Sequence, residues 1–412
     1  LSVTARDDAA RGGDAEAGTE RLRGSNQSGL RAHNERAVLS LIRRHGALAK
    51  ADIARRTGLS AQTASVIMRM LESEELVLRT KPRRGRVGQP SIPMRLNPDG
   101  AFSLGLKIGR RSAELVLMDF VGTLRARERR SYRYPRLAEI LDFAAGAARQ
   151  VAAAAGPDGQ KRIAGLGVAM PYDIWSWAEE IGAPADAMAE WRSVDIVAEL
   201  EACTGRSVNL ANDATAACAA EHVFGQTGSA DFLYFFVGAF VGGGIVMDGD
   251  LVPGRTDNAG ALGSIPVPHP DGGGFDQLIA FASIRLLETI LAEAGQDGAA
   301  LWERPDVWGE LGEVLDRWIA IAAHGLAHAI LAASAVYDFE CAVIDGGFPP
   351  EVRARLVAET AQRLDGLNRR GLSPITVREG TIGSSAREIG SASLPFFARF
   401  LIDHRVLYAD RG

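Results

Sequence analysis

Five polar side chains, Ser60, Gln62, Thr63, Ser65 and Arg69, lie within ten residues of one another. Hydroxyl, amide and guanidinium groups of this kind hydrogen-bond base edges and phosphates in a major groove. Further on, Arg83, Arg84, Arg86 and Gln89 crowd the basic, glycine-containing stretch 81–90, a set suited to phosphates or a minor groove. The chemistry these residues offer is recognition of a duplex.

The elements that must position them are legible in the flanking pattern. Val38, Leu39, Leu41 and Ile42 have the three-to-four spacing of a helix with one buried face, and Gly46 ends it. A second helix is predicted over Lys50–Thr57. The turn Thr57-Gly58-Leu59-Ser60 follows, with glycine supplying a positive φ. Ser60 is a good N-cap for a third helix, Ala61 to about Glu74, whose stripe Ala64, Ile67, Met68 and Leu71 leaves the polar set outward. Leu76–Arg79 and Pro93–Leu96 read as short strands on either side of the basic loop. A strand, basic loop and strand after a recognition helix make a winged helix.

Charge points the same way. Arg31 to Pro98 hold fourteen Lys or Arg and five Asp or Glu, net +9, in a chain of −5. Residues 1–30 carry −1, so 99–412 carry −13. A basic head on an acidic body is a DNA-binding footprint. A basic three-helix unit that serves only for packing or protein contact is the plainer alternative.

With 412 residues, 47% of them hydrophobic, the chain has material for two or three domains. No stretch approaches twenty consecutive apolar residues, so no membrane span is expected. Residues 1–30 lack the apolar core of a signal peptide and read as a disordered tail. Cys203, Cys218 and Cys341 are isolated, without a disulfide framework or metal pair. A cytoplasmic protein with reduced thiols is expected.

From Ala101 the pattern changes. Phe102–Ile108, Ala113–Met118 and Leu124–Tyr132 read as three strands, followed by an alanine-rich helix at about Leu137–Ala155 and the apolar strand Ile163–Ala169. The plan returns in Asp231–Val237, Gly242–Met247 and Asp250–Val252, and in the strand Cys341–Gly347. Two copies of strand-strand-strand-helix-strand predict a duplicated fold with a cleft between lobes.

Several segments together resemble one family. They are Asn34 to Gly46 with the wing, Gly165-Leu-Gly-Val-Ala-Met-Pro171, Asn212-Asp-Ala-Thr-Ala-Ala217, Val241-Gly-Gly-Gly-Ile245, Asn258-Ala-Gly-Ala-Leu-Gly263 and Gly380-Thr-Ile-Gly-Ser-Ser-Ala-Arg-Glu-Ile-Gly390. In this order they resemble the ROK proteins, which comprise repressors, open reading frames and sugar kinases, over nearly all of residues 30–403. The resemblance implies an α/β chain: a winged helix-turn-helix at 31–98, then a duplicated actin-like or ribonuclease-H-like two-lobed domain at 99–412 that binds an effector and oligomerises.

The resemblance also shows where kinase chemistry should be. A sugar kinase cradles ATP phosphates with glycine-rich turns, holds magnesium and deprotonates a sugar hydroxyl with a carboxylate. In place of the family's Asp-x-Gly-Gly-Thr turn stands Lys107-Ile-Gly-Arg-Arg-Ser112, a cation where metal support is needed. The second phosphate turn, Gly238-Ala-Phe-Val-Gly-Gly-Gly244, carries bulky Phe240. Asp213 matches the family's catalytic base and Asn212 a sugar-binding amide. Asn-Asp before a helix is equally an N-cap.

Relatives bind zinc through Glu-x-Gly-His and a cysteine cluster. Here the equivalent positions hold Ala261 and Ser264 without cysteines, and a later sugar-contacting glutamate has become Ile279. No structural zinc and no cofactor are expected. Asn258 and His269 remain as candidate effector contacts, although His269 also reads as a solvent-exposed loop residue. His324 and His328 have i, i+4 metal-ligand spacing on a predicted helix, Trp318–Ala333, with no third ligand evident. Trp175, Trp177 and Trp191 follow Pro171 and suit either sugar stacking or packing.

These readings combine into a transcriptional regulator, a repressor by expectation. Its partners are a double-stranded DNA operator and a sugar-like effector at Asn212, Asp213, Asn258 and His269. It is a homodimer or homotetramer by resemblance. The alternatives are a sugar kinase with an appended DNA-binding domain and a regulator controlled by a partner protein.

Overall fold

A computed structural model describes residues 27–82, 91–171, 174–178 and 182–401. The head begins with α1 (Gln27–His45), which starts ten residues before the apolar run that announces it. Its first turns are polar and are supported locally, as by Arg31 paired with Glu35 at 2.9 Å, and hydrophobic spacing does not register such a stretch. Next come α2 (Lys50–Thr57) and α3 (Ala61–Ser73), joined through Gly58 at φ 72°. β1 (Val77–Arg79) and β2 (Met94–Leu96) pair antiparallel. Val38, Leu39, Ile42, Ile53, Ala64, Ile67, Met68 and Leu71 are buried as the head's core.

The body is two lobes on one plan. In the first, β3 (Phe102–Ile108), β4 (Ser112–Asp119) and β5 (Leu124–Ser131) form a meander. Through α4 (Leu137–Ala152) and α5 (Gly156–Lys161) the chain reaches β6 (Ile163–Met170), and through α6 (Ala185–Ser193) and α7 (Ile196–Thr204) it reaches β7 (Val208–Asn212). The sheet order is β5-β4-β3-β6-β7, with β6 parallel to β3 and β7 parallel to β6. Next in the chain is α8 (Asp213–Phe224), which leads into the second lobe.

There β8 (Phe232–Val237), β9 (Val241–Met247) and β10 (Asp250–Leu251) repeat the meander. The hairpin β11 (Pro266–Pro268) and β12 (Phe275–Gln277) precedes α9 (Leu278–Ala282), α10 (Ile284–Glu293), α11 (Ala300–Glu303) and α12 (Gly312–Ser334). β13 (Cys341–Gly346), α13 (Pro350–Gly366), β14 (Thr376–Glu379) and α14 (Ala386–Arg399) complete the lobe. The order β10-β9-β8-β13-β14 repeats the first lobe strand for strand, so the duplication read from the sequence is present.

Among the described residues α12 has the length and apolar composition of a membrane-crossing helix. Its stripe Leu315, Trp318, Ile319, Ala322 and Leu326 instead fills the core of the second lobe.

Two helices occupy the seam between the sheets. α8 lies against β9 of the second lobe and is buried from Ala214 to Glu221. α14 lies against β3 and β6 of the first lobe, where a Cβ on Gly167 would overlap the Ser391 carbonyl. The helices touch each other at Gly390, whose missing side chain leaves room for the Ala216 carbonyl. Any change in the angle between the lobes therefore acts on the α8–α14 contact.

Candidate nucleic-acid interface and interlobe cleft

Ser60 caps α3 as its sequence position predicts. Its Oγ accepts from the Thr63 N–H at 3.0 Å and lies 2.8 Å from Thr63 Oγ1. Those two hydroxyls hold the helix start, leaving Gln62, Arg69 and Ser73 as exposed polar residues of the outer face, with Ser65 half-buried among them. Arg69 Nε donates to the Ser65 carbonyl at 3.3 Å. Val66, absent from the polar set, is exposed on the same face. Arg83, Arg84, Arg86 and Gln89 lie outside the described residues. On either side of them the chain is joined by the Thr80 N–H donating to the Pro93 carbonyl at 2.8 Å.

The head is seated on the body through α1. Arg43 donates to the Phe120 carbonyl, and its guanidinium carbon lies 5.7 Å from the Phe120 ring centroid and 4.7 Å from that of Phe224. Its Nε and Nη1 are enclosed without a hydrogen-bond partner among the described residues. Burial pulls the Arg43 pKa down to about 10, against the opposing charge of Asp119. Arg36 donates to the Ala398 carbonyl at 3.0 Å, and Phe120 packs edge-on to Phe396 and Phe400 at 5.3 and 5.2 Å. Sequence reasoning missed Arg43, which reads as an ordinary cation in the last turn of a helix.

In the cleft, Asn212 caps α8, its Oδ1 accepting from Ala214 N at 3.0 Å and Thr215 N at 3.2 Å. Its oxygen is thereby committed, and the amide nitrogen is the group left for a ligand. Asp213 pairs with Arg387 of α14 at 3.3 Å, both side chains about 15% exposed. The Arg387 guanidinium stacks 4.7 Å from the Phe236 ring centroid. Arg387 was also missed, although it lies inside the glycine-rich motif that carries the resemblance.

The two turns that the resemblance matches to phosphate binding meet across one small cavity and are filled by side chains. Lys107 is buried and paired with Glu114 at 2.8 Å, with Ser112 Oγ at 3.0 Å. Burial lowers the Lys107 pKa, partly offset by Glu114. Burial works against the Glu114 carboxylate, but Lys107 and then Arg129, at 2.9 Å, outweigh it and hold its pKa low. Arg110 of the first turn stacks on Phe240 of the second at 4.3 Å. A cavity of about 60 Å³ remains between the turns, against roughly 300–1,000 Å³ for a small-molecule site.

Among the described residues no hydrogen bond joins Asn258 or His269 to Asn212 or Asp213. Asn258 is exposed, in the loop whose Gly260 packs on Gly244 of β9. His269 is half-buried, edge-on to Phe281 at 5.0 Å. His324 bonds the Pro268 carbonyl of the hairpin at 3.0 Å, and His328 Nδ1 the His324 carbonyl at 2.9 Å, so each has a packing role. Among the described residues no three His, Cys, Asp or Glu are grouped for a metal. Trp191 is buried, donating to the Pro135 carbonyl at 2.9 Å.

Comparison with known proteins bears on both halves. The winged helix-turn-helix DNA-binding family matches residues 31–77 and the ROK family residues 103–394. An uncharacterized protein of Sinorhizobium fredii is 25% identical over 89% of this chain and 91% of its own. The xylose repressor of Caldicellulosiruptor bescii is 24% identical over 72% of this chain and 75% of its own. A crystal structure of a ROK family transcriptional regulator, a homolog of the E. coli MLC protein, superposes with a TM-score of 0.63 at 18% identity, covering 90% of this chain and 97% of that one. The chain belongs to the ROK family, as a member with an N-terminal winged helix-turn-helix DNA-binding domain.

Proposed function

We propose that the protein is a transcriptional repressor whose grip on an operator is set by a sugar-type molecule bound between the lobes, without phosphoryl transfer. The observation that carries this reading is the course of α8 and α14. Both begin at the Asp213–Arg387 pair in the cleft, and both end beneath the head, where Phe224 meets Arg43 and Ala398 meets Arg36. Twelve residues of α8 span about 18 Å.

The transmission follows from what each helix rests on. α8 rides on the second lobe and α14 on the first, so closing the lobes on a ligand slides one helix along the other at Gly390. Their far ends then shift relative to each other under α1. The ligand acts only through its preference for one lobe angle. Two such heads in a dimer or tetramer would enter successive major grooves of a palindromic operator, and a change in their separation releases or engages it. The sugar class is supported by the xylose repressor among the relatives.

A thermal-shift screen of sugars, sugar phosphates, polyols and ATP-magnesium tests this. A ligand at 100 times its dissociation constant adds about 2.7 kcal/mol. The reading expects a response to a sugar and none to ATP. Silence to every sugar would move the reading to a partner-controlled regulator. The kinase reading is opposed by the buried Lys107–Glu114 pair and by Arg110 on Phe240, and ADP release in a coupled assay would restore it.

A further inference from the structure

On α3, taken at about 100° per residue, Gln62, Ser65, Val66, Arg69 and Ser73 fall within an arc of about 100°. That arc lies opposite the buried stripe Ala64, Ile67, Met68 and Leu71. Val66 stands near its middle along the helix and is 47% exposed, whereas its neighbours Ile67 and Met68 are 4% and 0% exposed. Neither packing nor local preference accounts for it. A β-branched residue is a poorer helix former than the alanine or glutamine found nearby, and this one leaves about half of its surface uncovered by its own fold.

The face it occupies is the one a helix-turn-helix presents to the major groove. The major groove has one apolar group, the C5-methyl of thymine; every other base-edge feature is a hydrogen-bond donor or acceptor. Ser60 and Thr63 are tied up in the cap and the exposed Ser73 hydroxyl donates to the Met70 carbonyl, so the long exposed polar readers of the outer face are Gln62 and Arg69, with valine methyls between them.

We infer that Val66 is a specificity-determining residue that reads a thymine methyl in each operator half-site. Its χ1 is restricted by branching, so it is presented with little entropy to lose. Gln62, one turn earlier, has the bidentate amide that pairs with adenine. The two are about 6 Å apart along the axis, close to two base-pair steps. The half-site core should therefore hold A·T pairs at adjacent or next-adjacent positions. This inference rests on the DNA-reading half of the proposed function and needs nothing from the effector half.

The test uses the full-length protein to select duplexes from a randomised pool. Each thymine of the selected half-site is then replaced by deoxyuridine, which keeps base pairing and removes only the methyl. For the wild type, one thymine per half-site should lose roughly fourfold in affinity, the worth of one buried methyl. Val66→Ala should be weaker on the parent duplex and insensitive to that replacement. Val66→Ile, which keeps the apolar branch, should remain sensitive. Thermal melting of both variants checks the fold, and alanine favours the helix. No methyl-sensitive thymine in the wild type, or equal sensitivity in Val66→Ala, overturns the inference while leaving DNA reading intact. Failure to enrich any duplex overturns both.

Discussion

The guanidinium of Arg43 stacks 4.7 Å from the ring centroid of Phe224, at the opposite end of α8 from Asp213. Among the described residues no carboxylate bonds this enclosed cation directly, and it depends on ring faces and the Phe120 carbonyl for compensation. Such contacts are worth about 2 kcal/mol or more when desolvated, and a small displacement of the ring forfeits them. The seat of the head is therefore sensitive to where α8 ends.

Arg43→Ala should destabilise the protein by roughly 2–4 kcal/mol, through lost packing and lost cation–π stacking. Arg44→Ala, at its exposed neighbour, should stay within about 0.5 kcal/mol. Urea denaturation midpoints compare the two, and similar effects would contradict the buried seat.

Gly390→Ala would drive a Cβ into the Ala216 carbonyl where α8 and α14 meet, and a loss of about 1–3 kcal/mol is expected. Gly146→Ala is the counterpart. That glycine lies inside α4 with open space beside it, so alanine there should stabilise by up to about 1 kcal/mol. Opposite signs in thermal melting support the close helix contact.

At the DNA, Arg69→Ala should weaken binding to the selected operator, because its guanidinium stands on the outer face of α3. Arg84→Ala should weaken all duplexes alike and flatten the slope of log affinity against log salt by roughly one unit. Filter binding at several salt concentrations separates base reading from phosphate contact. An unchanged affinity in both variants would refute the groove assignment.

Glu388 is buried beside the Lys107–Glu114 pair, and one carboxylate oxygen lacks a hydrogen-bond partner among the described residues. Burial first, then the charge of Glu114, raises its pKa above the ordinary 4.5. The sign follows. Below about 4.5 both states are protonated and there is no penalty, and as pH rises through the higher folded value, stability is lost. Glu388→Gln should thus match wild type in acid and gain on it toward neutrality. Parallel stability curves across that range would count against the assignment.

Much of the architecture was legible. The predicted helices at Lys50 and Ala61 and the strand Phe102–Ile108 match the observed α2, α3 and β3 closely, since hydrophobic period and capping residues are local signals. The repeated meander was visible for the same reason. Less legible was anything made by two distant segments. Asn212 and Asp213 stand together because they are consecutive, but the partner of Asp213 is 174 positions away in α14. The seat of Arg43 joins three elements, and its arginine resembles any surface cation until burial is known. The resemblance could show that two turns depart from the family's phosphate-binding pattern; that Arg110 and Phe240 fill the space together required coordinates.

The most direct test of cleft-to-head coupling is a double-mutant cycle on operator affinity with Asp213→Asn and Arg43→Met, made in the full chain at fixed salt. The sites are separated by nearly the whole of α8, about 16 Å along its axis, beyond the 7–10 Å past which substitutions ordinarily add. Relay through α8 and α14 predicts a coupling energy of about 1 kcal/mol or more. Additivity within about 0.5 kcal/mol, with both single variants folded, would mean that the cleft and the DNA-binding head do not communicate by this route.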